Sequence, residues 1–341
     1  MKRHNFDPDA AATGGSGIFG LPFTPDDAKV VVVPVPYEAT TSYGGGTSRG
    51  PSAVFDASKQ VDLFDRDTGR PYEQGIAMLD IPKKIERWNR EAKTIAAAVI
   101  EKGGIVDKKT RAAADKVNAT SEKVNEWVFE TTESLLDNDK LPVILGGDHS
   151  VPFGAMQAYS ERYPRMGILH LDAHADLRDT YEGFTWSHAS IFHNVMTKLD
   201  VSKLVQVGVR DLGQQESRMI EESEGRIVTF FDPDLAARKE EGAPFARIAD
   251  EIIAELPDDI YLSWDIDGLD PTLCPGTGTP VPGGLSWNEA IGLLRAIKRA
   301  NKRIIGLDLC EVAPGDTEWD ANVGARLLYK MIGFALLTQR E

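Results

Sequence analysis

The stretch ILHLDAHADLR, residues 168–178, places Asp172, His174 and Asp176 on alternate positions directly after an apolar run. On an extended chain, positions i, i+2 and i+4 point to one face. Three polar side chains then converge, and two carboxylates held close raise each other's pKa. A cation between them removes that repulsion. Three further apolar runs end in the same kind of chemistry. VILGGDHS (143–150) ends in Asp148 and His149, SWDIDGLDP (263–271) carries Asp265, Asp267 and Asp270, and GLDLCEVAP (306–314) carries Asp308 and Glu311. Singly, each has an ordinary explanation: an Asp at a strand end often caps a helix, and a lone buried histidine is often a core residue. Four such ends at one edge of a sheet make a site.

Carboxylates mixed with imidazoles suit a divalent ion of intermediate hardness, with Mn²⁺ the best fit. Thiolates, which would indicate zinc or iron–sulfur chemistry, are missing from the set. Two histidines with four or more aspartates are too many ligands for one ion that keeps open positions. Two ions about 3.5–4 Å apart, sharing carboxylates, could hold and deprotonate a water.

The elements that must position these groups are legible as hydrophobic runs. KVVVVPVP (29–36), GIAMLD (75–80), PVILGG (142–147), GILHLD (167–172), KLVQVGVR (203–210), RIVTFF (226–231), IYLSWDID (260–267) and RIIGLDLCEV (303–312) predict eight strands. Helical patterns separate most of them, including 85–103 and 109–138. Val- and Ile-rich runs alternating with helices predict an α/β fold: a three-layer αβα single domain with an eight-stranded parallel sheet. Ligands of such a sheet bind beyond the carboxyl ends of its strands, where all four signatures fall. Residues 1–27, rich in Gly, Pro and Asp, read as a loosely packed N-terminal arm ahead of one catalytic domain, 28–341. The Gly-rich stretch TTSYGGGTSRGPSAV (40–54) reads as a loop entering a helix at Pro51. It lacks the Gly-Lys-Ser/Thr of a phosphate-binding loop.

With 38 basic and 53 acidic residues the net charge is −15. That opposes nucleic acid as a partner and favours a cationic substrate or metal ions. No apolar run approaches the ~18–20 residues of a membrane span, and no secretory signal is recognisable. Two cysteines, Cys274 and Cys310, are too few for a disulfide framework. A cytoplasmic protein without a membrane partner is expected.

Together and in this order, GGDHS, DAHAD and SWDIDGLDP…GTGTPVPGG resemble the three signature motifs of the ureohydrolase superfamily, which includes arginases, agmatinases and related guanidino or formimino hydrolases. The similarity runs from about residue 29 to 335. It implies an arginase-like fold, a homotrimer or homohexamer, and two divalent ions per chain, Mn(II) first and Ni(II) as the alternative. It also implies His149, Asp172, Asp176 and Asp265 as ligands of one ion and Asp172, His174, Asp265 and Asp267 as ligands of the other. By the same resemblance Glu311 pairs with the guanidinium, Thr279 lines the pocket, and Asp176 orients the attacking water. His188, 12 residues after Asp176, matches a proton-relaying histidine. Asp148 matches no ligand, and Asp270 matches a structural Asp-Pro turn.

The loop LRDTYEGFTWSHAS (177–190) lacks the Asn through which arginases read the α-amino and α-carboxylate groups of arginine. It offers Arg178, Asp179, Tyr181, Glu182 and Trp186 instead, with Tyr181 and Trp186 expected to shorten the pocket or stack on a planar cation. Agmatine, or another small guanidino compound without an α-carboxylate, is the expected substrate, and urea the product. Arginine and free guanidine, the latter with nickel, are the alternatives. Formimidoyl-glutamate would need Arg178 or Arg210 to hold its carboxylate. A catalytically silent subunit or scaffold would have lost ligands, and all six are present. A sugar- or nucleotide-binding α/β protein is suggested only by YGGGTSRGP and PGTGTPVPGG, neither of which has dinucleotide spacing.

Overall fold

In the computed structural model, which describes residues 6–339, the run Val30–Val35 forms β1 and is buried at every position. A strand covered on both faces needs no polar alternation, so its sequence reads as an unbroken apolar run. Seven strands follow: β2 Ile76–Met78, β3 Leu141–Gly146, β4 Gly167–Leu171, β5 Lys203–Val207, β6 Ile227–Phe230, β7 Asp259–Asp265 and β8 Arg303–Cys310. All pair in parallel, in the order β2-β1-β3-β8-β7-β4-β5-β6. This is the predicted eight-stranded sheet. The order sets β3, β8, β7 and β4 side by side at its centre, and these are the four strands that end in polar signatures.

Ten α-helices among the described residues cover the sheet. They are α1 Gly50–Ser58, α2 Lys83–Ile100, α3 Lys108–Asp137, α4 Phe153–Arg162, α5 Ile191–Lys198, α6 Gln214–Glu221, α7 Asp232–Glu240, α8 Phe245–Ala254, α9 Trp287–Arg299 and α10 Trp319–Leu337. On one face α1, α8, α9 and α10 pack on Val143, Leu145, Leu307 and Leu309. On the other, α2 to α5 pack on Ile144, Ile168 and Tyr261. The long helix α3 shows why such segments form. Asp107 accepts the Thr110 N–H and closes a capping box, and Ala114, Val117, Ser121, Val124 and Val128 recur at three- and four-residue steps to make one buried stripe. Each fully buried Val, Leu or Ile contributes roughly 1.5–3 kcal/mol, against ~0–1 for an exposed ion pair, so these faces hold the fold. No helix among the described residues is long and apolar enough to cross a membrane.

Several boundaries differ from the sequence expectation. β5 stops at Val207 because Gly208 turns the chain at φ 98°. β8 stops at Cys310 because Glu311 is left-handed at φ 64°. The segment expected as a loose arm is docked in part: Ile18, Phe19 and Leu21 are buried in the main core, and the Phe19 ring lies 4.8 Å from that of Tyr329. Residues 1–5 of that segment lie outside the described ones.

Candidate metal centre and substrate cleft

Asp172, His174 and Asp176 lie beyond Leu171, the last residue of β4, so strand alternation is not what brings them together. A turn does. Asp172 Oδ1 accepts the His174 N–H at 2.6 Å. Asp176 then adopts φ 54°, and its carbonyl accepts the N–H groups of Phe192 and His193 at the start of α5, at 3.0 and 3.3 Å. A left-handed non-glycine residue costs about 1–3 kcal/mol and persists only where its surroundings enforce it. Asp265 Oδ1 accepts the Asp267 N–H at 2.9 Å, and Asp267 Oδ1 accepts that of Ala173 at 2.9 Å, which ties the end of β7 to the β4 turn.

The six expected ligands sit in one cluster. His149 Nδ1 lies 3.1 Å from Asp172 Oδ2, 3.5 Å from Asp265 Oδ2 and 3.6 Å from Asp176 Oδ2. His174 Nδ1 lies 3.2 Å from Asp267 Oδ2 and 3.3 Å from Asp172 Oδ1. Asp172 thus belongs to two neighbouring groups, one around each histidine. The other ring nitrogen of His149, Nε2, faces Ser263 Oγ at 2.9 Å, and that hydroxyl donates to Asp308 Oδ1 at 3.0 Å. This chain places an N–H on Nε2 and aims Nδ1 at the carboxylates; burial works against the imidazolium, but Asp172, Asp176 and Asp308 outweigh it and hold His149 well above its ordinary pKa, so Nδ1 keeps a proton that a bound cation would displace.

The charges are out of balance in a way that a cation corrects. Asp172, Asp176, Asp265 and Asp267 are all buried. Burial first, then the Asp172 charge, pushes the Asp176 carboxyl up to about 7. Burial and the neighbouring Asp267, Asp172 and Glu311 carry Asp265 well above the usual carboxylate range. Burial also works against the Asp172 anion, but the His170, His149 and His174 imidazoles outweigh it and hold that carboxyl well below the ordinary range. Glu311 is pushed well up by burial and by Asp148. Its Oε1 accepts the His149 N–H at 3.0 Å, whereas its buried Oε2 has no protein partner. A donor set of imidazole and crowded buried carboxylates fits divalent ions.

A cleft of about 270 Å³ opens over His174 and Asp176, walled by Tyr181, His188, Thr279 and, from the Gly-rich loop, Ser42 and Tyr43. Glu38 anchors that loop by accepting the N–H groups of Gly46 and Ser48 at 2.6 and 3.2 Å, and Lys93 pairs with it. Glu311 is not among the residues that line the cleft; Gly278, next to Thr279 of the cleft wall, passes so close to it that a Cβ there would lie 2.9 Å from Oε2. A larger cavity, about 430 Å³, lies between α5 and α6 and is lined by none of the six cluster residues. Loss of water contact pushes the His188 imidazole down to about 4, and the neighbouring His174 adds to this.

Trp186 departs from expectation. Its ring packs at a tilt against Phe153, centroids 4.8 Å apart, its indole N–H points to Glu122 at 3.4 Å, and it does not line the cleft. Neither arginine considered for a substrate carboxylate is free. Arg210 donates to the carbonyls of Gly208, Asp267, Leu269 and Val281. Arg178 pairs with Glu216 at 3.4 Å and lies 4.9 Å above the Tyr181 ring. Asp148 caps its own turn through Ser150, and Asp270 does the same through Thr272. Sequence reasoning passed over Ser42, Tyr43, Ser263 and His170. His170, on β4, stands two residues before Asp172, which directly follows the strand, a period-two signal in the sequence.

The model of the arginase family matches residues 28–333. An N(1)-aminopropylagmatine ureohydrolase from Thermus thermophilus is 34% identical over 319 residues, 93% of this chain and 94% of that protein. An agmatinase from Halalkalibacterium halodurans is 33% identical over 289 residues, 85% of each chain. The solved structure of the agmatine ureohydrolase of Thermoplasma volcanium superposes with a TM-score of 0.71 at 22% identity, covering 95% of both chains, which establishes the shared fold. With the cluster at the central strand ends and a family match over nearly its whole length, the chain belongs to the arginase family and is a ureohydrolase, an enzyme that hydrolyses a guanidino compound and releases urea.

Proposed function

We propose that the substrate is agmatine or another guanidinoalkyl compound without an α-carboxylate. One observation carries this reading: Arg210 is spent on backbone carbonyls and does not line the cleft, and Arg178, which does line it, is already paired through Nε with Glu216 at 3.4 Å, so no arginine is set aside for a substrate carboxylate. The relatives named for agmatine and N(1)-aminopropylagmatine support it.

His149, Asp172, Asp176 and Asp265 would hold one divalent ion, and Asp172, His174, Asp265 and Asp267 the other, with Mn²⁺ the best match to the donors and Ni²⁺ the alternative. When bound, such ions would lower the pKa of water from ~15.7 toward neutrality and so would supply a nucleophile. Asp176, which lines the cleft, would accept a hydrogen bond from the attacking water and fix its direction. Glu311 Oε2 receives guanidinium N–H groups, a charge-assisted pair stronger than a neutral hydrogen bond. Oxygen adds to the guanidinium carbon, the bond from carbon to the alkyl nitrogen breaks, and urea and the alkylamine leave. That amine needs a proton, and His188 in the cleft wall relays it. Tyr181, Thr279, Ser42 and Tyr43 enclose the tail.

Urea release from arginine, agmatine, N(1)-aminopropylagmatine, guanidinobutyrate and guanidine, measured on enzyme loaded with Mn²⁺ or Ni²⁺, tests the assignment. An amine-tailed guanidine should give the highest kcat/KM. A tenfold preference for arginine would overturn the substrate reading.

A further inference from the structure

A polar row crosses the sheet beneath the carboxylates. In register on five neighbouring strands stand Thr229 (β6), Gln206 (β5), His170 (β4), Ser263 (β7) and Asp308 (β8). The last four are fully buried. A buried polar group without a partner costs about 1–3 kcal/mol, so a row of them through an apolar sheet calls for a reason. The Ser263–Asp308 end serves His149, as described above. The other end has no role in the proposed chemistry.

Its hydrogen bonds define one direction. Gln206 Nε2 lies 2.7 Å from the Ala175 carbonyl, which can only accept, so the amide NH₂ is on that side. The same NH₂ faces His170 Nδ1 at 3.0 Å, while Thr229 Oγ1 donates to Gln206 Oε1 at 3.0 Å. His170 Nδ1 is therefore an acceptor and Nε2 carries the N–H. That N–H points at Asp172 Oδ2, 2.8 Å away. The Phe192 ring, 3.9 Å from the imidazole, closes the other side. Asp172 is thus clamped at both oxygens, Oδ2 by His170 and Oδ1 by the His174 backbone N–H. Oδ2 faces His149 and Oδ1 faces His174. The terminal torsion of an aspartate is broad and easily turned, and a carboxylate shared between two ions must offer one oxygen to each.

We infer that Thr229, Gln206 and His170 form a buried relay that positions Asp172 as the shared ligand, with His170 acting through its Nε2–H donor. This rests on the proposed reading of Asp172 as a ligand of both ions.

The test is Mn²⁺ titration of the metal-free protein against a chromophoric chelator, with Co²⁺ absorption spectra and thermal unfolding in parallel. Glutamine at 170 can place an amide N–H where Nε2 stands, and asparagine can replace only Nδ1. His170→Asn should bind Mn²⁺ 10–100-fold more weakly, the usual cost of losing such a support, and shift the Co²⁺ spectrum. His170→Gln should stay within threefold of wild type. Gln206→Leu leaves His170 in place but frees its tautomer, and should also weaken binding and move the spectrum. It decides the matter should His170→Asn not fold. Wild-type affinity in His170→Asn or Gln206→Leu would overturn the inference, as would an equal loss in His170→Gln and His170→Asn. A wild-type chain that takes up only one ion would overturn instead the reading of Asp172 on which it rests.

Discussion

Replacing Glu311 by glutamine separates charge from shape in the substrate site. The carbonyl oxygen of the new amide can still accept the His149 N–H now held by Oε1 at 3.0 Å. What disappears is the negative charge on Oε2, the buried oxygen with no protein partner. Removing one member of a buried, hydrogen-bonded charge pair costs about 2–5 kcal/mol. At ~1.36 kcal/mol per tenfold, the lower part of that range is about 30- to 1,000-fold in kcat/KM. Agmatine and guanidine should lose by the same factor, because they share the group that Glu311 is proposed to meet. The metal-free protein should respond in the opposite sense. Burial and Asp148 hold the Glu311 carboxyl well above its ordinary value of 4.5. Between those two values the native state keeps a proton that the unfolded chain has lost, so stability falls as pH rises through this window. Glu311→Gln should lack that component of the slope, and its metal-free Tm near neutrality should equal or exceed wild type. The assay is initial-rate urea release with metal content measured on the same samples, plus unfolding at several pH values. A kcat/KM within threefold of wild type, with two ions bound, would refute the role. So would a fall fully accounted for by lost metal.

His188→Ala should lower kcat by roughly 10²–10⁴-fold while leaving the bound metal unchanged, and an unaltered pH–rate profile would leave His188 a wall residue only. Trp186→Ala should cost about 1–3 kcal/mol through lost packing on Phe153 yet leave kcat/KM within threefold, and a specific rise in KM would contradict its placement outside the cleft. Asp67, held by Arg295 and then Lys330, has its carboxyl lowered from 3.8 to about 2. Its stabilisation, at most ~2 kcal/mol, is therefore complete above pH 3.8 and lost as pH falls toward 2. Asp67→Asn should lower the Tm at pH 6 and converge with wild type in acid.

The sheet was readable because its strands are buried on both faces, so VVVVPV and its counterparts stand out as apolar runs with helices between them. The cluster of carboxylates and imidazoles was readable because a carboxylate at the end of such a run is costly anywhere but at a cap or a site. What stayed hidden depends on the fold in three dimensions. Trp186 has the chemistry of a cation-binding residue, and only the position of Phe153 on α4 shows where its ring goes. Arg210 could have been a substrate ligand until four carbonyls from two loops claimed it. Glu311 and Asp176 are aimed by left-handed backbones at φ 64° and 54°, which side-chain type does not announce. His170 was within reach of period-two reasoning, but its value depends on Gln206, 36 residues away on the next strand.

On the proposed mechanism the carboxylates around His149 and His174 hold two ions, and hydrolysis needs both. Stepwise addition of Mn²⁺ to metal-free enzyme, with bound metal and urea release from agmatine followed on the same samples, tests it most directly. Binding should saturate at two ions per chain, with most of the activity arriving with the second. Saturation at one ion, or full activity before the second binds, would contradict it.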